Sequence, residues 1–316
     1  MNRYLRKWRI TASTDTQSWI LSTSEDAAAL RCVFITDEFR SHTVFGTLQV
    51  FNLSMNTINA LTAAARQNAG ALRIIIEAGY ENEMGIIWNG AVYQLYKIRE
   101  NVTDWVLMFE TVNSQYNIGG DFINYSIGAG ESIGGHIEAV CKNAHKPIEI
   151  SSISNSVSKD TTSRGAVYFG SVHRELRKLG KKDGLYPAVQ DEKISMYDDL
   201  ADHSNDEPFV LTPQTGLVGT PTQIQWGVNV RALIHPKLRW RPLCTRIKLD
   251  KVIIRMTAIQ PDGNHPLKSP LEPDGTYHVI GSAFTGDTRG NDWYVDLRCM
   301  NNAGMSLYRT GALNMG

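Results

Sequence analysis

Residues 274–299, DGTYHVIGSAFTGDTRGNDWYVDLRC, carry the pattern that decides the fold. The stretch leaves a Pro273-Asp274-Gly275 turn with apolar residues at Tyr277, Val279 and, less regularly, Ala283. It breaks at Gly286-Asp287-Thr288-Arg289-Gly290-Asn291 and resumes with Trp293, Val295 and Leu297 on one face. Period-two alternation bounded by Gly, Asp and Asn predicts a half-buried β-hairpin. Asp292 and Trp293 open the return strand, with the indole inward. An echo lies upstream in residues 99–109, RENVTDWVLMF, where an Arg and an Asn again lead into Asp104-Trp105 and an apolar strand. Two such strands, each closing a β-rich unit, organise the chain.

The flanking sequence predicts three domains. Residues 1–112 read as an N-terminal β-barrel domain. Its strands begin around Tyr4, Trp8 and Ile10, continue at Cys32, Phe34 and Ile35, and include residues 44–53, VFGTLQVFNL, rich in β-branched and aromatic residues. Ile58, Leu61 and Ala65 then change to a helical period, with Ser54 or Asn56 as cap and Gly70 as stop. Strands follow at 72–78, 86–88 and 92–95, with a turn at 79–83. One helix within a run of strands suggests a barrel or sandwich.

Residues 113–207 read as a smaller α/β domain. Gly128-Ala129-Gly130-Glu131-Ser132 starts a helix that places Ile133, Ile137, Val140, Cys141 and Ala144 on one face and stops at Pro147. Residues 151–164 predict a mobile Ser/Thr-rich loop. A second amphipathic helix turns Val172, Leu176 and Leu179 inward and ends at Lys181-Lys182-Asp183-Gly184. Residues 186–189 and 194–197 predict a hairpin, and 198–208 an acidic linker. Residues 208–316 return to strands as a second β-barrel domain. These are 209–211, 225–233, 246–249 and 252–257, with a glycine-punctuated turn region at 215–221 and a break at Pro236, which has no N–H to donate. The fold class is mainly β with an α+β insert.

The two outer segments share an order of parts: a strand, a short non-sheet excursion, a strand carrying an Arg, and the Asp-Trp strand. An internal duplication and a chance match of two β-meanders both fit that order.

Composition excludes several function classes. A chain of 316 residues exceeds one core of ordinary size. With 32 basic and 32 acidic residues, no net field favours nucleic acid or an anionic membrane. No apolar run reaches the roughly 18 residues that span a bilayer, and no stable membrane insertion is expected. The basic N-terminus lacks the apolar core of a secretory signal. Cys32, Cys141, Cys244 and Cys299 form no CxxC pair, which argues against zinc and for a reducing cytoplasm as the place of synthesis.

No catalytic, cofactor-binding or metal-binding residue is predicted, and the expectation is a non-enzyme. The eight histidines form no HExxH pair, and His278 alternates with Tyr277 and Val279, which predicts a solvent or interface position. Gly128-Ala129-Gly130 and Gly134-Gly135 lack Walker spacing and read as a helix start. Asp198, Asp199 and Asp202 read as a solvated linker rather than metal or glycosidase carboxylates. Arg174, Arg177, Lys178, Lys181 and Lys182 read as the solvated face of a helix, with phosphate contact the weaker option.

Four strings resemble one family. GLVGTPTQIQWGVNVRALIHPKLR (216–239) and the 274–299 hairpin look like the C-terminal part of tailed-bacteriophage baseplate hub proteins. LQVFNLSMNTINAL (48–61) and EAGYENEMGIIWNGAVYQ (77–94) look like their N-terminal part. GDTRGNDW is the most specific piece, and the resemblance covers both outer segments. It implies a structural virion protein with two tail-tube-like β-barrel domains beside smaller α/β domains, assembled as a homotrimer in the tail baseplate. Such a ring meets the sixfold tail tube, or a tube-adaptor protein, on one side and the threefold spike protein on the other. Tape measure protein and DNA pass along its axis. Another tail-axis adaptor between tube and hub is the nearest alternative. A glycan-processing tail enzyme and a nucleic-acid-binding module are the alternatives of other classes.

Overall fold

The computed structural model describes residues 5–39, 45–67, 72–81, 83–113, 122–181, 183–198, 207–241, 245–256 and 270–309. The described parts of 1–112, 206–240 and 245–304 form one compact unit, and those of 113–205, 241–244 and 305–316 form a second. The fold is mainly β, with large antiparallel pairings and an α/β insertion between the two β-rich parts.

The first unit opens with β1 (Arg6–Ser13), β2 (Ser18–Thr23), β3 (Cys32–Phe39) and β4 (Phe45–Phe51). The helix α1 (Met55–Gln67) follows, then β5 (Arg73–Tyr80), β6 (Gly85–Arg99) and β7 (Trp105–Val112). Ser54 starts α1 by accepting the Thr57 N–H at 3.2 Å. Its inward stripe is Ile58, Leu61 and Ala64.

The second unit holds β8 (Phe122–Ile127), α2 (Ile133–Lys142), β9 (Glu149–Ile153) and β10 (Ala166–Ser171). It continues with α3 (Val172–Lys181), β11 (Tyr186–Gln190) and β12 (Lys193–Tyr197). A β8–β10 ribbon and a mixed β11-β12-β9 sheet surround a core of Ile123, Ile137, Val140, Leu176, Ile194 and Met196.

The chain then adds β13 (Phe209–Leu211), β14 (Leu217–Ile224), β15 (Gly227–Leu233), β16 (Arg246–Leu249), β17 (Thr276–Asp287), β18 (Trp293–Met300) and α4 (Asn302–Arg309). The first unit carries one 13-stranded sheet in the order β14-β15-β18-β17-β3-β4-β7-β6-β5-β1-β2, with β16 also on β17 and β13 on β16.

That sheet contains the same construction twice. The order β3-β4-β7-β6-β5 matches β14-β15-β18-β17-β16, all antiparallel. The registers of β4 and β6 on β7 agree residue by residue with those of β15 and β17 on β18, while β14 carries a shift that β3 lacks. Phe45–Phe51 lies on 106–112 as Gly227–Leu233 lies on 294–300. Arg99 faces Trp105 and Gly286 faces Trp293. Both long strands carry a bulge at the same place, between Val92 and Gln94 and between Val279 and Gly281. Arg73 and Arg246 hold equivalent positions, opposite Ala91 and His278. The Val92 N–H donates to the Leu72 carbonyl and the Val279 N–H to that of Thr245, each at 2.8 Å. A meander has no physical need for a bulge at one fixed point. Its repetition in register favours duplication over chance.

Several expectations are corrected. Residues 86–88 and 92–95 belong to one strand, β6, which runs unbroken through Gly90. A Cβ there would meet the Trp88 indole Nε1 at 2.7 Å, so the glycine makes room for a neighbouring ring. Residues 217–221 belong to β14, where Gly219 at φ +69 serves a register shift between Val218 and Thr222 rather than a loop. Residues 252–256 form no strand and join the sheet through an isolated bridge from Arg255 to Thr222. β2 was not expected at all. His278 is buried, with Nε2 3.0 Å from Asn302 Oδ1, because its side chain does not face solvent there. Asp198 is buried rather than solvated. The expected loop at 151–164 gives its first residues to β9. Readings placed on Tyr4, Val44, Gly70, Asn82, Lys182, Asp199, Asp202, Cys244 and Thr257 lie outside the described residues.

Candidate assembly interface

The two halves of the sheet meet where β3 pairs with β17, from Gly281 opposite Phe39 to Asp287 opposite Val33. Side chains lock this junction at the 286–291 turn. The Arg6 guanidinium donates to the Gly290 and Asn291 carbonyls at 2.7 and 3.0 Å and lies 5.3 Å from the Trp293 ring centroid. Arg31 Nη2 donates to Asp287 Oδ2 at 2.7 Å, and Arg289 Nη2 to the Ala29 carbonyl at 2.6 Å. Trp293 is edge-on to both Trp8 and Phe34, at 6.3 and 5.8 Å. Gly286 is required here, since a Cβ would sit 2.2 Å from the Phe34 ring. Below the turn, Arg239 Nη2 donates to Glu38 Oε1 at 2.6 Å and Nε to Oε2 at 2.9 Å, with both side chains 5% exposed.

Burial alone would raise the Asp287 carboxyl, but the Arg31 guanidinium and the Arg289 and Gly290 N–H groups outweigh it and hold the pKa below the ordinary 3.8. A depressed carboxyl stabilises the fold above its unfolded pKa and loses that contribution as pH falls through the folded one. Asp287→Asn is therefore expected to lower urea stability at neutral pH. The gap from the parent should close as pH drops below 3.8. A gap constant from pH 7 to pH 2 would refute the charge assignment.

The equivalent edge in the other repeat has no partner strand among the described residues. β6 pairs β5 through residues 85–91 and β7 through 91–99, and among the described residues no strand covers the second edge of 94–99. Trp105, the counterpart of Trp293, is 41% exposed where Trp293 is 1% exposed. Lys97 and Arg99 cover its ring at 3.8 and 5.3 Å. Asp104 accepts from Asn52 Nδ2 at 2.8 Å and Asn101 Nδ2 at 2.7 Å, which lowers its pKa. Tyr93 and Tyr96 both donate to Glu110, and that bond pushes the Tyr93 hydroxyl up to about 12.

Among the described residues no group of His, Cys, Asp and Glu is placed to hold a metal ion. Burial pushes the thiols of Cys32 and Cys141 up to about 12 and that of Cys299 higher, so they are poor nucleophiles. Ser132 caps α2 by accepting the Gly135 N–H, so the glycine-rich stretch is a helix start. On the basic face of α3, Lys178 and Arg174 flank the buried Glu175 at 2.7 and 3.7 Å. An open groove of about 440 Å³ beside the junction is lined by Arg31, Asn52, Glu100, Asp104 and Arg289 among others, with no nucleophile–base pair. No described helix is long and apolar enough to cross a membrane.

The sequence located Trp293, Asp104 and Trp105, but not Arg6, Arg31, Glu38, Arg239 or Arg255. No local spacing marks these, because each acts on residues far away in the chain.

No protein-family profile and no curated protein matches the chain. Solved structures do. The tail protein from Neisseria meningitidis MC58 superposes with a TM-score of 0.55 at 7% identity, covering 95% of this chain and 98% of that one. The 43 kDa tail protein of prophage MuSo2 from Shewanella oneidensis gives 0.54 at 8% identity, covering 94% and 98%. An E. coli component of the type VI secretion system, described as structurally similar to the T4 tail proteins gp27 and gp5, gives 0.52 at 10% identity, covering 89% and 76%. At these identities the likeness is one of fold: the chain has a phage-tail-protein fold.

Proposed function

We propose that this chain is a non-enzymatic structural protein of a phage tail, the hub of the baseplate. It assembles as a homotrimer that adapts the sixfold tube to the threefold spike and leaves an axial passage for tape measure and DNA. One observation carries this reading: the same strand order, register and bulge occur twice in one sheet. Three such chains present six equivalent units around one axis, so a single ring matches a sixfold neighbour on one face and a threefold neighbour on the other. In this reading 1–112 and 208–316 supply the ring-forming β domains, and 113–207 is the α/β domain beside them. The fold likeness to tail proteins supports it, and the neutral overall charge suits a passage that does not retain DNA.

The test is the solution mass of the full chain, alone and mixed with its spike protein. The expected species is three times the 35.3 kDa chain, or three chains per spike trimer. A sixfold species would instead identify a tube-type adaptor. A monomer that ignores the spike would sink the hub.

A further inference from the structure

Resting on that ring reading, the geometry points to a specific strand pair between copies. Residues 94–99 of β6 in one copy pair antiparallel with β14 of a second copy, and the chain carries its own temporary cover over the β14 edge.

The internal junction supplies the template. β17 uses one edge for β18 and divides the other between β16, at 276–278, and β3, at 281–287. Its counterpart β6 has the same division, with β7 on one edge and β5 on the first part of the other. The last part, 94–99, has no strand among the described residues. The counterpart of β3 is β14, which ends the sheet. Continuing the pattern from the C-terminal repeat of one copy to the N-terminal repeat of the next joins β14 to β6. That contact is heterologous, as a closed ring requires.

Burial agrees with a junction left unmade. Phe284 is fully buried in β17, while its counterpart Lys97 is exposed, and Ile98 is 43% exposed. The register follows too. Thr285 faces Ile35 across the internal junction. Ile98 holds the place of Thr285, since they face Val106 and Tyr294. Thr222 holds the place of Ile35, since they face Asn229 and Thr47. Ile98 of one copy therefore meets Thr222 of the next.

That place is already taken. Arg255 forms a parallel bridge to Thr222, donating its N–H to the Pro221 carbonyl at 2.8 Å and accepting the Gln223 N–H at 3.0 Å. The segment around it buries Val252 and Ile254 only in part and leaves Ile253 84% and Met256 66% exposed, so the cover rests on the two Arg255 backbone bonds and two half-buried side chains. Such a cover protects an edge strand from indiscriminate pairing. A six-residue antiparallel partner, 94–99, anchored by the rest of the subunit, displaces it.

The experiment uses the full chain carrying Cys244→Ser with Ile98→Cys and Thr222→Cys, oxidised after assembly. Residues directly opposite each other in antiparallel strands approach closely enough for a disulfide after a small shift. A reducible ladder ending at the trimer is expected, absent from either single variant. Ile35→Cys with Thr285→Cys, the internal equivalent, should cross-link within one chain. If the chain assembles by mass and the internal pair closes while the 98–222 pair does not, the strand assignment is wrong and the ring reading stands. If no oligomer forms under any condition, the ring reading itself fails. Arg255→Pro removes the donor to Pro221, and a several-fold faster approach to the oligomer is expected. Unchanged or slower assembly would overturn the cover.

Discussion

Glu38→Ala is expected to lower the unfolding free energy by about 3–5 kcal/mol, the usual cost of breaking a buried ion pair from one side. The Glu38–Arg239 pair is 5% exposed on both sides, so the lost carboxylate is not replaced by bulk solvent. Arg239 would keep a buried charge without its two short bonds from Nε and Nη2. Against a total stability of about 5–15 kcal/mol, this loss is large enough to shift the urea midpoint without changing the slope. Glu38→Met combined with Arg239→Leu should recover most of it, because well-packed apolar replacements of buried pairs are often neutral. A single variant that loses less than about 1 kcal/mol would show that the pair is not a clamp between β3 and the segment after β15.

The second large effect separates two tryptophans that occupy one position in the two repeats. Trp293→Ala is expected to cost about 3–5 kcal/mol, because the ring is 1% exposed and truncation opens a cavity against Trp8 and Phe34. Trp105→Ala is expected to cost clearly less in the single chain, about 1 kcal/mol, since the ring is 41% exposed and its cation contacts are with Lys97 and Arg99. Its effect should fall on assembly instead, as a loss of the oligomer at concentrations where the parent forms it. Urea melts of both variants beside their masses decide the matter. Equal destabilisation by the two substitutions would contradict the difference in environment.

The hairpin was legible because Tyr277, Val279, Val295 and Leu297 keep a period of two between turn residues, and the Asp-Trp echo pointed to the right pair of hairpins. What the pattern could not carry was context. Gly219 read as punctuation, yet it sits in a register shift within β14. β2 stayed hidden because Trp19, Ile20 and Leu21 run together without alternation. His278 read as outward because alternation says nothing about cover on the second face. The junction left no local mark: Glu38 and Arg239 are 201 residues apart, and Arg31 and Asp287 are 256 apart. The duplication was visible only as a vague order of parts, because register and bulge are backbone properties that many side chains satisfy.

The pairing of β3 with β17 also has a consequence for the nascent chain. During translation, the N-terminal half emerges with the outer edge of β3 unpaired, and its partner appears only when residue 287 has been made. Arg6 waits longer still, for Gly290 and Asn291. Contacts that span nearly the whole chain form late and slowly, so every ribosome making this protein holds a half-sheet with one bare edge. Strand by strand, the ordering of synthesis makes the C-terminal hairpin the step that closes the N-terminal domain, and a truncation just before Thr276 leaves that domain open rather than simply shorter.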